Sequence, residues 1–202
     1  MPLPSQWPLL IGLVIGLAAM LAGMASAILP VDGWELAARW TARVGFPLFL
    51  LVYLASSLVR LWPGGWRKTV LRDRRFWGLG FAACHTVHLF ALAVFLKLGD
   101  ETRPIAAIIP GAIAYALLYA MAATSTDAAM RKLGRNWKRL HSLGIHYLWL
   151  IFTLAYAVRV LDPETRVEGV VGTALALAAL GVRMAARRRQ TAQSQSSPQT
   201  LT

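Results

Sequence analysis

Charge and thiols are scarce in this sequence. Only 15% of its 202 residues are Asp, Glu, Lys or Arg, against 57% that are hydrophobic. So little charge cannot cover a soluble domain of this length, and the long apolar runs place the chain among membrane proteins. Cys84 is the single cysteine, which excludes an internal disulfide and any C-x-x-C motif. It is expected as a small apolar residue facing a neighbouring helix. Acidic residues are scarcer than basic ones, nine against 21, leaving a net charge of +12. The basic residues gather at the ends of apolar runs, a topology signal and a lipid-headgroup contact rather than a DNA-binding face. The bilayer is therefore an expected partner, and nucleic acid is not. No internal repeat and no low-complexity stretch precede the C-terminal tail.

Six apolar spans are predicted. The first covers about 8–29, carries no charge and is long enough for a hydrocarbon core of ~30 Å. Ala25-Ser26-Ala27 has the look of a signal cleavage site. No Lys or Arg precedes the run, however, and it exceeds the ~7–15 apolar residues of a signal peptide, so a retained helix is expected. Residues 30–45 read as a mixed connection whose charges cancel. The later spans are about 46–62, 76–97, 105–123, 140–160 and 169–186, with Pro110 expected to kink the fourth. Between the fourth and fifth, Ser125 or Thr126 should cap a short helix that Gly134 ends. Residues 1–189 are thus expected as one transmembrane domain, and 190–202 as a polar, disordered tail.

The loops alternate in charge. Arg60 through Arg75, Arg131 through Arg139, and Arg183 through Arg189 hold fifteen of the 21 Lys and Arg. Placing these groups on one side requires six helices with both termini in the cytoplasm.

All four histidines fall in two of the spans, His85 and His88 in the third and His141 and His146 in the fifth. An ionisable residue at membrane depth is costly and by default marks function. His85 and His88 are three residues apart and share one helix face. Counted from Phe76 at ~1.5 Å per residue, they lie roughly 14 and 18 Å into the third span. Counted from Lys138, His141 lies roughly 5 Å and His146 roughly 12 Å into the fifth. Depth pairs His85 with His146, and leaves His88 with His146 as the alternative. His141 is shallow and turned away from His146 by about 140°. Two imidazoles on facing helices can fill both axial positions of a haem iron. The expected fold is therefore an all-α, six-transmembrane-helix bundle with haem b between the third and fifth helices. Arg74, Arg75 or Arg139 would meet the propionates. Packing histidines that bond to neighbouring carbonyls are the competing reading.

Two segments carry a family resemblance. RRFWGLGFAACHTVHL (residues 74–89) and TSTDAAMRKLGRNWKRLH (residues 124–141) resemble the ferric-reductase-like transmembrane domain family, and within it the MsrQ-type haem-binding membrane subunits. The likeness covers roughly residues 35–160. It implies His88 and His141 as haem ligands. The family's further histidine, about thirteen residues after the first on the fifth helix, is Leu154 here. The resemblance also implies electron relay across the bacterial inner membrane. The donor would be a quinol or a cytoplasmic flavin reductase, and the acceptor a periplasmic reductase such as a methionine-sulfoxide reductase. Quinone or FMN are the further candidate cofactors. The chain would be an electron-transfer subunit with no catalytic residue of its own. The rival readings are a stand-alone ferric or quinone reductase-like cytochrome, and a haem-free scaffold or small transporter. The last should show repeated half-structures with matching broken helices.

Overall fold

The structure is a computed structural model that describes residues 6–99 and 104–196. The loop charges Asp100, Glu101 and Arg103 lie outside the described residues, as does the tail from 197 onward. The described chain is all helix. Six helices are long and apolar enough to cross a membrane: α1 (Trp7–Ala25), α2 (Pro30–Leu61), α4 (Arg74–Leu98), α5 (Ile105–Ala123), α7 (Arg135–Arg159) and α8 (Arg166–Ser196). The protein is a multi-pass membrane protein. Two short helices, α3 (Trp66–Arg72) and α6 (Asp127–Leu133), lie between them. The Thr126 side chain caps α6 by accepting from the Ala129 N–H at 3.1 Å, and Gly134 ends it at φ 51°, a conformation that favours glycine.

Two boundaries differ from the sequence expectation. Residues 30–45 are the first half of α2, not a connection. Pro30 starts the helix at the position where its missing N–H costs nothing, and Asp32 lies in the first turn. The charges that suggested a loop are satisfied at its surface. Arg39 donates to Glu35 one turn back, and Arg43 donates to Glu168 of α8 at 3.0 and 2.6 Å. The opposite face carries Gly33, Ala37, Thr41 and Gly45, all buried. At 32 residues, α2 spans roughly 48 Å, longer than the hydrocarbon core, and Pro47 falls in its interior. At the other end, α8 continues through Ser196, past the point where a disordered tail was expected to begin.

Small residues let α1, α2 and α4 pack as one close trio. A Cβ on Gly12 of α1 would overlap the backbone of Gly80 of α4. Cys84, fully buried, meets Gly16 of α1 and plays the packing role expected of it. Helices α5, α7 and α8 complete the bundle, α7 lying against both α5 and α8. By contrast α4 and α7, the third and fifth spans, make no extensive contact. Two cavities stand between them, and these decide the rest.

Candidate functional site

The cavities are stacked along the bundle. The first, about 390 Å³, is lined by the first half of α2 and the second halves of α4 and α7. The second, about 360 Å³, takes the opposite ends of the same helices. Thus α4 and α7 run parallel, and α2 runs against them. Leu118 of α5 and Leu148 of α7 line both cavities and form the partition. Phe81, Phe49 and Phe152 pack beside it, with ring centroids 5.0–6.1 Å apart.

His85 and His88 line the first cavity from α4, with ring centroids 5.5 Å apart. The His85 ring is buried among Phe81, Phe152 and Tyr115. Its Nδ1 is buried without a hydrogen-bond partner among the described residues. Gly45 of α2 leaves the slot for this ring; a Cβ there would overlap it. His88 has its Nδ1 3.1 Å from Thr41 Oγ1 of α2. The α7 wall offers Leu148, Ile151, Phe152, Ala155 and Tyr156, and no histidine. Glu35, Arg39 and Arg159 line the charged end.

His141 lines the second cavity. Its ring stacks on Trp137, centroids 4.1 Å apart and planes 25° apart, and its Nε2 lies 3.1 Å from Thr124 Oγ1. Trp137 Nε1 donates to the Thr124 carbonyl at 2.9 Å, so one residue holds both rings. Arg74, Arg75, Lys138 and Arg183 make this cavity basic; Arg139, expected beside Arg74 and Arg75, does not line it. Outside the span, Arg75 pairs with Asp127 and holds that carboxyl below the usual carboxylate range. The same end gathers three helix ends, since Arg189 donates to the Leu61 carbonyl at 2.9 Å and Arg74 to Ser56 Oγ at 2.8 Å.

His146 lines neither cavity. Its Nδ1 lies 2.6 Å from the Ser142 carbonyl of its own helix, and its ring is 5.9 Å from that of Tyr53. The structure therefore brings His85 and His88 together, puts His141 in the other cavity, and leaves His146 apart from all three. The depth match does not hold. His85 and His146 are each eleven residues into their helices. Yet His85 meets Gly45 of α2 and Phe152 of α7, whereas His146 lies by Tyr53, eight residues or roughly 12 Å farther along α2. Rotation separates them further. The inward face of α7 runs through His141, Ile145, Leu148, Phe152 and Tyr156, spaced at three or four residues, and His146 is off that stripe. Leu154 is 52% exposed and also faces out. Thr41, Gly45 and Thr124 were missed because none is ionisable. For the first two the available signal was the small-residue stripe Gly33, Ala37, Thr41, Gly45, which continues α2 through the supposed connection.

Comparison with known proteins agrees with this architecture. The chain is 36% identical over 153 residues to the "Protein-methionine-sulfoxide reductase heme-binding subunit MsrQ" of Yersinia enterocolitica, covering 63% of this chain and 74% of that protein. The MsrQ of Klebsiella pneumoniae is 32% identical over 154 residues, 68% of this chain and 70% of that one. The MsrQ of Salmonella paratyphi B is 32% identical over 162 residues, 72% and 73% of the two chains. No family model and no solved structure matches the chain. Six apolar helices, buried histidines between them and identity above 30% along most of the relatives' length give one conclusion: the chain belongs to the MsrQ family, named for the haem-binding subunits of protein-methionine-sulfoxide reductases.

Proposed function

We propose that this protein binds haem b in the first cavity and relays electrons across the bacterial inner membrane. The observation that carries the reading is the pair of α4 imidazoles, His85 buried and His88 half-buried, facing an apolar wall. Among the described residues no group of three His, Cys, Asp or Glu side chains could hold a bare metal ion. Two imidazoles without a third ligand instead suit a metal that brings its own equatorial ligands, as haem iron does. The cavity walls fit such a group. Phe81 and Phe152 flank His85, His88 lines the same cavity, and Arg39 and Arg159 could neutralise carboxylates at the charged end. His88 is the favoured ligand, with His85 beside it. His141, the other position implied by family resemblance, would serve a group in the second cavity. His146, which meets its own helix carbonyl, is the least suited of the four. Bound haem would supply a one-electron iron couple.

The chain's own residues supply the rest. Apolar side chains form most of the first cavity's wall, with Glu35, Arg39 and Arg159 at its charged end. The partition of Leu118, Leu148 and Phe81 keeps the two cavities separate yet adjacent. Fifteen of the 21 basic residues belong to loops and helix ends on the second cavity's side, which supports a cytoplasmic position for that end and for both termini. The donor, a quinol or a cytoplasmic flavin reductase, would then act at the second cavity. Arg74, Arg75, Lys138 and Arg183 suit an anionic or carbonyl-bearing cofactor such as FMN or a quinone, and Trp137 offers a ring face. The acceptor would meet the opposite, periplasmic end; the relatives' names support a methionine-sulfoxide reductase as the partner.

The test is an absorption spectrum of detergent-purified protein from haem-supplied cells, oxidised and then reduced with dithionite. A sharpened α-band and a shifted Soret band on reduction are expected. A featureless spectrum would sink the reading.

A further inference from the structure

Thr41 is fully buried on α2, one turn before Gly45. Its Oγ1 lies 2.7 Å from the Ala37 carbonyl and 3.0 Å from the Ala38 carbonyl of its own helix. The same oxygen lies 3.1 Å from His88 Nδ1 of α4. A hydroxyl has one proton, and carbonyl oxygens can only accept. Two carbonyls beside one hydroxyl therefore take that proton, and Oγ1 faces His88 with a lone pair. The imidazole must then carry its proton on Nδ1. In the neutral ring this leaves the lone pair on Nε2; the Ala38 carbonyl, which also lies beside Thr41 Oγ1, is a second acceptor for the His88 N–H.

We infer that Thr41 is the positioning residue for His88, fixing the Nδ1–H tautomer and leaving Nε2 as the nitrogen available to the iron. The inference rests on the haem reading above only for what Nε2 binds; the tautomer itself does not need the haem. A metal-ligating histidine commonly donates its other N–H to an acceptor that fixes the ring and raises its basicity. Thr41 supplies that acceptor from a neighbouring helix. Its own bond to Ala37 locks the side chain, so the imidazole meets a fixed oxygen. A more basic ligand stabilises ferric over ferrous iron, so Thr41 also lowers the reduction potential. Thr41→Val keeps the branched shape and removes the acceptor. Thr41→Ser keeps the acceptor.

Two readouts separate the possibilities. The first is the ¹⁵N NMR spectrum of haem-free, histidine-labelled protein in detergent. The chain has only four histidines, and the His88 signals are assigned by their loss in His88→Gln. Wild type and Thr41→Ser should show the Nδ1–H tautomer at His88, and Thr41→Val should lose that preference. An Nε2–H tautomer in the wild type, or an unchanged His88 tautomer in Thr41→Val, overturns the inference. If Thr41→Val does not fold, the wild-type and Thr41→Ser spectra decide by the same criterion. The second readout is potentiometric titration of the haem-loaded protein. Thr41→Val should move the potential upward, and Thr41→Ser should return it to the wild-type value. Equal potentials in all three overturn the positioning role. A wild type without haem bands but with the Nδ1–H tautomer would count against the haem reading and leave the tautomer assignment standing.

Discussion

The two cavities share helices, a partition and nearly the same size, yet they differ in what surrounds the imidazole. In the first, the histidines come from the middle of α4 and face Phe152, Leu148 and Ala155. In the second, the histidine comes from the first turns of α7 and sits among Arg74, Arg75, Lys138 and Arg183. Each uses the same device to hold a ring. A threonine whose hydroxyl donates to its own helix presents its oxygen to a histidine on another helix, Thr41 to His88 and Thr124 to His141. The nitrogen engaged is different, Nδ1 in His88 and Nε2 in His141. By the same proton count, the lone pair is left on Nε2 in His88 and on Nδ1 in His141. Equal residues in parallel helices thus meet unequal surroundings: an aromatic and aliphatic wall with a charged end in the first cavity, and a basic lining in the second.

The largest effect that would sharpen or break this contrast is loss of the haem spectrum. His88→Ala should abolish the low-spin bands, and His146→Ala should leave them unchanged, read by haem content and the reduced-minus-oxidised spectrum. His141→Ala should spare the bands that His88→Ala removes. Identical losses from the His88 and His141 variants would mean that one iron is shared, and the contrast between the cavities would collapse.

Next in size is Gly45→Ala. The added methyl meets the His85 ring, and overpacking of a close helix contact costs about 1–3 kcal/mol. Thermal unfolding in detergent should show that loss, together with a displaced first-cavity spectrum. A stable Gly45→Ala protein with wild-type bands would mean that His85 has room to move. Away from both cavities, Thr126→Ala removes the cap of α6 at about 1 kcal/mol. It should lower the melting temperature slightly and leave the first-cavity spectrum alone.

The smallest effect is electrostatic and belongs to the basic end. Arg75 depresses the Asp127 carboxyl below its ordinary value of about 4. A depressed carboxyl contributes stability that is present above the unfolded-state value and is lost as pH falls through the folded one. Melting curves from pH 6 to 3 should therefore fall more steeply for wild type than for Asp127→Asn. Both partners are exposed, so the difference is modest and should shrink in high salt. Parallel curves would show that the pair contributes nothing measurable.

Much of the architecture was legible because membrane insertion is a composition rule. A run of apolar residues has few alternatives to a helix, and loop charges order those helices by side. Thr126 and Gly134 bounded α6 where local capping chemistry put them. The failure at residues 30–45 had a physical cause. Their charges read as a loop, but Arg43 finds Glu168, which is 125 residues away in the chain. No local pattern announces such a partner.

At the site, the sequence by itself determined which residues are the candidates for chemistry. Histidine at membrane depth is costly, so four of them in two helices signalled a function before any fold was known. Their relative depth was not legible, because rise per residue is constant along a helix but α4 and α7 do not start at one level: His85 is level with Phe152, six residues past His146. Only the tertiary structure decided which of them meet. A helix turns about 100° per residue, so His141 faces in and His146 faces out, although depth favoured the reverse. That choice is made by what packs against α7: Trp149 donates to the Ala176 carbonyl of α8 at 2.9 Å, and Trp137 to the Thr124 carbonyl at 2.9 Å. These contacts fix the rotation of the helix, and rotation is a property of neighbours.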